Sequence, residues 1–261
     1  MLLEGKNAVV YGAGGAVGAA VARAFAIEGA RVALTGRSLE PLDAVREAIT
    51  SSGGQADAAV VDAYDEGAVS DHLERLVADA GSVDISFNAV SFGYVIAQPL
   101  TTAPSSDFTK SIEMAMRCHF VTATAAGRQM ERAGGGAILT IIASPSRMLM
   151  PNQGTLGIVG AATEAFCRQL AADLGPRGVR VICICSAGSP DAPDVDWAMN
   201  QSAEAAGMSR EAFEEEFTSR SALKRLPRLD EVGAVAALMA SDRASAVTAS
   251  VANVTCGQIF T

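Results

Sequence analysis

The chain is poor in the residues that most often carry chemistry. It has two His, one Trp and three Tyr in 261 residues, and its only lysines are Lys6, Lys110 and Lys224. Charged residues make up 19%, below the usual quarter, while 49% are hydrophobic, which excludes disorder as the dominant state. Basic residues are outnumbered 20 to 29, giving a net charge of −9 and a pI near 4.8. That balance argues against nucleic acid or an anionic membrane as partner, since both reward positive charge. No apolar run approaches the roughly 18 residues of a membrane span. The opening Met1–Lys6 lacks a basic segment followed by an apolar one, so no secretory signal is expected and the reading is a soluble cytoplasmic protein. The five cysteines, Cys118, Cys167, Cys183, Cys185 and Cys256, are odd in number and without framework spacing, which argues against a disulfide-stapled domain. Cys183 and Cys185 share one face of a strand-like run with no His cluster nearby, so buried thiols and no metal are expected.

What is present is a regular alternation. β-Branched runs at Ala8–Tyr11, Arg31–Leu34, Ala58–Val61, Val83–Phe87, Ala137–Ile142 and Val179–Cys185, with a last near Ser250–Thr255, alternate with stretches of 3.6-residue period such as Val17, Val21 and Phe25. Such alternation predicts βαβ units: an α/β fold with a parallel, seven-stranded, doubly wound sheet and helices on both faces, in one Rossmann-like domain spanning 1–261. The Pro-, Asp- and Ser-rich segment Ser186–Gly207 reads as a loop over the sheet's edge.

Directly after the first strand comes Tyr11-Gly-Ala-Gly-Gly-Ala-Val-Gly18, then a helix. Glycines at a strand-to-helix turn let the backbone approach a pyrophosphate, and the helix start supplies free N–H groups and partial positive charge. The candidate cradle is therefore Gly12, Gly14, Gly15, Ala16, Val17 and Gly18; without Gly-Lys-Ser/Thr, a nucleoside-triphosphate loop is excluded. The second strand runs into Leu34-Thr-Gly-Arg-Ser38. Arg37, with no acid beside it, favours a cofactor with a 2′-phosphate, NADP(H) over NAD(H); the bland reading is a solvated Arg. Asp62, with Ala63 after it, either reaches an adenine amino group or caps the next helix.

In this order along the chain the pieces resemble the short-chain dehydrogenase/reductase family. Phe87-Asn-Ala-Val90 looks like that family's Asn-Asn-Ala-Gly, adding Asn88 and Ala89 to the cofactor set, and Gly175-Pro-Arg-Gly-Val-Arg-Val181 looks like its entry to the sixth strand. Leu226-Pro-Arg-Leu-Asp-Glu-Val232, Met239–Asp242 and Asn253–Gly257 are similar to its ending, and Pro151-Asn152 onward with Ser186-Ala-Gly188 resembles the enoyl-acyl-carrier-protein reductase branch. The resemblance implies substrate loops at about 91–106 and 186–210, a small-molecule substrate and a homodimer or homotetramer built on the Leu156–Leu174 helix and the one before it.

The family's chemistry uses a Tyr, a Lys four residues later and a Ser thirteen before the Tyr. Aligned through Pro151–Leu174, the chain has Leu156, Gly160 and Ala143 in those places, and Ala115 where a helical Asn completes the proton relay. In the enoyl-reductase register the Tyr place falls at Gln153. No Tyr-x-x-x-Lys exists anywhere in the sequence, so ketone reduction by the family's usual route is not expected.

Four residues are candidates to line the altered cleft. Tyr94, on the loop after Asn88-Ala89, either donates a proton or merely covers the core. Ser144 and Arg147 follow the fifth strand at the sheet's carboxyl end; Arg147 either holds an anionic substrate or forms a surface ion pair. His119 shares a helix face with Ala115 and is either an acid–base group or a packing residue. His72, beside Asp71 and Glu74, reads as solvated. The expected activity is an atypical NADP(H)-dependent reductase of an acceptor such as an imine or a conjugated compound. Its alternatives are a non-redox isomerase, cyclase, dehydratase or lyase, and a catalytically silent nucleotide-binding homologue.

Overall fold

A computed structural model describes residues 1–259. Seven parallel strands lie in the order β3-β2-β1-β4-β5-β6-β7: β1 (Asn7–Tyr11), β2 (Arg31–Gly36), β3 (Gln55–Val60), β4 (Ile85–Asn88), β5 (Gly136–Ala143), β6 (Val179–Ser186) and β7 (Ser250–Val254). Successive residues of a strand point to opposite faces. In β1, Val9 and Tyr11 therefore enter one core, under α3 (Glu66–Ala80), α4 (Ser105–Ala133) and α5 (Leu156–Leu174). Ala8 and Val10 enter the other, under α1 (Ala16–Ile27), α2 (Leu39–Ser51) and α8 (Leu229–Ala240). Helices α1 and α8 press together because Gly233 has no side chain; a Cβ there would lie 2.9 Å from the Ala20 carbonyl oxygen.

The order of strands reverses between β1 and β4, so the loops leaving these strands diverge and open a crevice at the sheet's carboxyl edge. The expected doubly wound sheet is thus present, with β3 starting three residues before the expected run. The Ser186–Gly207 loop is corrected: it contains α6 (Pro193–Ala206), followed by α7 (Arg210–Ser219). Pro193 at the first turn, Asp194 and Asp196 beside the helix's positive end, and a left-handed Gly207 at its exit build that helix from residues whose composition alone reads as loop. His72 is also corrected. It is 6% exposed beside Val69 and Leu73 on the buried face of α3, and burial, with Arg75 nearby, lowers its pKa.

Candidate active site

The glycine loop has the backbone geometry a diphosphate needs. Gly12 takes φ +74°, and a Cβ on it would meet the Ala89 carbonyl oxygen at 2.8 Å; a Cβ on Gly18 would lie 2.2 Å from the Gly12 carbonyl oxygen. The loops after β1 and β4 can therefore touch only because Gly12 is glycine, and α1 can lie against the Gly12 carbonyl only because Gly18 is. Gly14 abuts Pro41, whereas a Cβ on Gly15 would meet only the Gly12 oxygen at 3.4 Å. Helix α1 starts at Ala16 with no side-chain cap and no acid in its first turn, leaving its leading N–H groups, including Val17, to an external acceptor.

Arg37 is exposed just past β2 and forms no ion pair among the described residues. Asp62 is exposed past β3; its Oδ1 accepts the Tyr64 N–H at 3.0 Å, while the α3 cap is Asp65, whose Oδ1 accepts from Ala68 N–H at 3.0 Å. The capping alternative for Asp62 thus falls to its neighbour. Asp62 and Tyr64 line a cavity of ≈ 560 Å³ together with Met114 and Arg117 of α4. Burial pushes the Tyr64 phenol up to about 12. Ala63 is buried beneath. Asn88 faces inward: its Nδ2 donates to Thr122 Oγ1 at 2.9 Å and to Cys118 Sγ at 3.4 Å, and its Oδ1 accepts the Val90 N–H at 2.9 Å. Asn88 thereby ties α4 to the loop that carries Ala89 against Gly12. Cys118 and Thr122, one turn apart on α4, carry no distinguishing mark in the sequence.

The catalytic end is remodelled. Ser144–Ser146 form a single 3-10 turn that packs onto the backbone of α5. A Cβ on Gly157 would meet the Pro145 carbonyl oxygen at 2.6 Å, and one on Gly160 would lie 2.6 Å from Ser146 Cβ. The place aligned with the family's lysine is thus occupied by the turn. Arg147 clamps it there: Nε and Nη2 reach the two oxygens of Glu164 at 2.8 and 2.7 Å, and Ser146 Oγ adds a 3.3 Å bond. Sequence reasoning misses Glu164 and its bonding to Arg147, 17 residues away; only their shared position around Gly160 hints at it. Ser144 Oγ is buried without a hydrogen-bond partner. Leu156, at the tyrosine place, is half-buried.

The loop bearing Tyr94 is docked, not free. Val95 and the fully buried Thr155 exchange two hydrogen bonds: Thr155 N–H donates to Val95 O at 2.9 Å, and Val95 N–H donates to the side-chain Oγ1 of Thr155 at 3.0 Å. Gln98 bridges Gln153, and Ser111 Oγ donates to Gly93 O at 2.7 Å. Gly154, at φ +49°, leaves no room for a Cβ, which would lie 2.0 Å from Val95 O. Tyr94 is half-buried with its ring edge-on to Phe92 at 6.2 Å. Desolvation raises its pKa well above the ordinary phenol value, with Tyr64 and Asp194 adding to the rise. His119 is 1% exposed between Phe92 (5.1 Å) and Phe166 (6.5 Å); neither ring nitrogen has a partner, and burial lowers its pKa to about 4. Tyr94, Ser144 and the glycine loop each follow a strand at the sheet's carboxyl edge. The structure engages Arg147 with Glu164 and encloses His119. The cysteines of β6 and α5 are buried, as expected, and Cys256 is half-buried.

Residues 12–258 match the family model described as Enoyl-(Acyl carrier protein) reductase. An uncharacterized oxidoreductase of Methylorubrum extorquens is 29% identical over 256 residues, covering 98% of both chains. Among solved structures, an NAD+-bound xylitol dehydrogenase superposes with TM-score 0.92 at 24% identity, covering 98% of this chain and all of that one. A putative NAD(P)-dependent gluconate 5-dehydrogenase of Beutenbergia cavernae, with bound NADP, superposes with TM-score 0.83 at 27% identity over 98% and 97%. With a family model matched across nearly its whole length, the chain belongs to the short-chain dehydrogenase/reductase family of oxidoreductases.

Proposed function

We propose that the chain is an NADP(H)-dependent reductase whose acceptor needs no Tyr–Lys proton relay. The observation that carries this reading is the glycine cradle, where Gly12 and Gly18 sit at approaches no side chain would allow and α1 begins with unclaimed N–H groups. Bound nicotinamide supplies a hydride. Gly12–Gly18 hold the diphosphate, the Asp62 carboxylate and the cavity beside it take the adenine end, and Arg37 meets a 2′-phosphate. With Gly160 in the lysine place no ammonium holds the ribose, so affinity rests on the diphosphate and Arg37. Tyr94 is the proton donor at the substrate, its phenol kept neutral by desolvation. Tyr94, half-buried, fits the acid–base role better than the enclosed His119, the equally buried Ser144 or the engaged Arg147. A conjugated acceptor or an iminium suits such a site, because its reduction does not need strong acid assistance at oxygen.

Calorimetric titration with NADPH and NADH tests the reading. NADPH is expected to bind more tightly, and Arg37→Ala to weaken NADPH by about 10–100-fold, the loss of one hydrogen-bonded charge pair, with little effect on NADH. Absence of NADPH binding at millimolar concentration overturns it. The turn filling the lysine place favours one second reading, a non-redox enzyme using the same cleft; turnover without nucleotide oxidation, unchanged by Arg37→Ala, would establish that instead.

A further inference from the structure

Two thiols meet in the core where α5 lies on the sheet. Parallel pairing sets Thr140 of β5 beside Cys183 of β6, so their side chains are neighbours on one face. Cys167, on the buried side of α5 with Val159 and Thr163, sits over that pair, and Thr140 Oγ1 lies 3.3 Å from its Sγ. The Cys183 thiol donates a hydrogen bond to the Cys167 sulfur. The chain between the two sulfurs is the end of α5 and the turn Gly175–Arg177, so the contact joins a helix to a strand.

A single core cysteine behaves as a small hydrophobe. This pair differs, because its hydrogen bond is asymmetric. The bond from Cys183, reinforced by Thr140, lowers the Cys167 pKa, and the same bond together with burial raises that of Cys183. One sulfur is disposed to react as thiolate while the other waits beside it with its proton, the arrangement of an attacking and a resolving thiol. Cys118 is the contrast. It is fully buried, burial pushes its thiol up to about 11, and its side-chain partner is Asn88, not a second thiol. Access sets the oxidant. Cys167 is 3% exposed and Cys183 1%, so only a hydroperoxide as small as hydrogen peroxide reaches them, through local opening of the helix.

We propose that Cys167 and Cys183 form a peroxide-oxidised dithiol whose disulfide locks α5 onto β6. The Cys167 thiolate attacks one peroxide oxygen, the O–O bond breaks, and the leaving hydroxide takes up the proton that Cys167 gave up. Cys167 is then a sulfenic acid. The Cys183 sulfur attacks it, the S–O bond breaks, and the oxygen leaves as a second water with the Cys183 proton. Two thiols lose two electrons and one peroxide gains them. The lock acts on the helix that carries Gly160 and, one turn before Cys167, Glu164 with its tie to Arg147. Peptide mapping of the full, folded chain after hydrogen peroxide tests it, with remaining thiols alkylated in denaturant and no reductant. A peptide linking Cys167 to Cys183 is expected, with the Cys167 thiol lost at least about tenfold faster than that of Cys118. The midpoint of thermal unfolding is expected to rise by about 5 °C and to return with dithiothreitol, which does not restore oxidised methionine. Cys183→Ala is expected to abolish the linked peptide and the reversible shift, and Cys185→Ala to keep both. If Cys183→Ala does not fold, Cys167→Ala removes the other half of the pair and carries the same test. No linked peptide from the folded chain, a link to Cys185 instead, equal loss of the Cys118 thiol, or a midpoint that dithiothreitol does not move would each overturn the inference.

Discussion

Gly160 shows how far one residue can settle a site. Replacing the family's lysine by glycine does not leave a hole, because Ser146 Cβ comes to 2.6 Å from where a Cβ would stand. Restoring the pair by Leu156→Tyr with Gly160→Lys is therefore expected to destabilise the fold by about 1–3 kcal/mol through overpacking. It should also yield no ketone reduction; chemical denaturation and a ketone–NADPH assay read the two effects, and a tenfold gain in ketone turnover would show that the turn moves aside easily. His119 sets a pH dependence. Its folded pKa, about 4, lies below the ordinary 6.5, so the folded state binds the proton less well than the unfolded chain. Stability is then full above pH 6.5 and falls as the pH drops toward 4, by up to about 3 kcal/mol, since each tenfold loss of proton affinity on folding costs about 1.36 kcal/mol. His119→Phe, which matches its aromatic neighbours and removes two unpartnered nitrogens, should be at least as stable near neutrality and lose that slope, as urea titrations at pH 7 and 4.5 would show. A parallel fall in both proteins would place the titration elsewhere, His72 being the next buried histidine.

Among the elements, those with a strong period are legible in the sequence and those built on polar turns are not. Helix α5 is legible at its observed limits because apolar and small residues alternate at helical spacing from Leu156 to Leu174, and the glycine cradle because steric demand at Gly12 and Gly18 leaves a spelling no other residue can share. Helix α6 is hidden because Pro193, Asp194 and Asp196 serve a first turn as well as they serve a loop. The Arg147–Glu164 clamp is invisible for a different reason: it joins a turn to a helix across 17 residues, and only three-dimensional closure makes the two meet. That clamp fixes the element nearest the chemistry. Glu164→Ala leaves a guanidinium without its partner and is expected to cost about 1–3 kcal/mol, less than the roughly 3–5 kcal/mol of a fully enclosed pair because Arg147 is 27% exposed. Arg147→Met combined with Glu164→Leu should recover most of the loss. If the double variant is as unstable as the single, packing of the turn on Gly157 and Gly160 holds the site and the ion pair does not.

At the scale of the molecule, the sheet's two faces are not covered alike. The α1–α8 side closes by glycine and alanine contacts between helices, whereas on the other side α4 leaves Phe120 54% exposed and α5 exposes Ala161 and Ala165. A large aromatic in water on one helix and small exposed side chains on the other make a face suited to close helix packing, and resemblance to the family points to these same two helices as the place where a second copy sits. His119 lies on the turn just before Phe120, and its ring stacks on Phe166 of α5, so a partner on this face would press on the same layer that supports Phe92 and the Tyr94 loop. Sedimentation is therefore expected to give a mass of two or four times 26.7 kDa. Phe120→Glu, which places a charge at the centre of that face without disturbing the interior, should shift the mass to that of one chain and lower the midpoint of thermal unfolding. An unchanged mass would move the interface off α4 and α5, and with it the link between assembly and the loop that holds Tyr94.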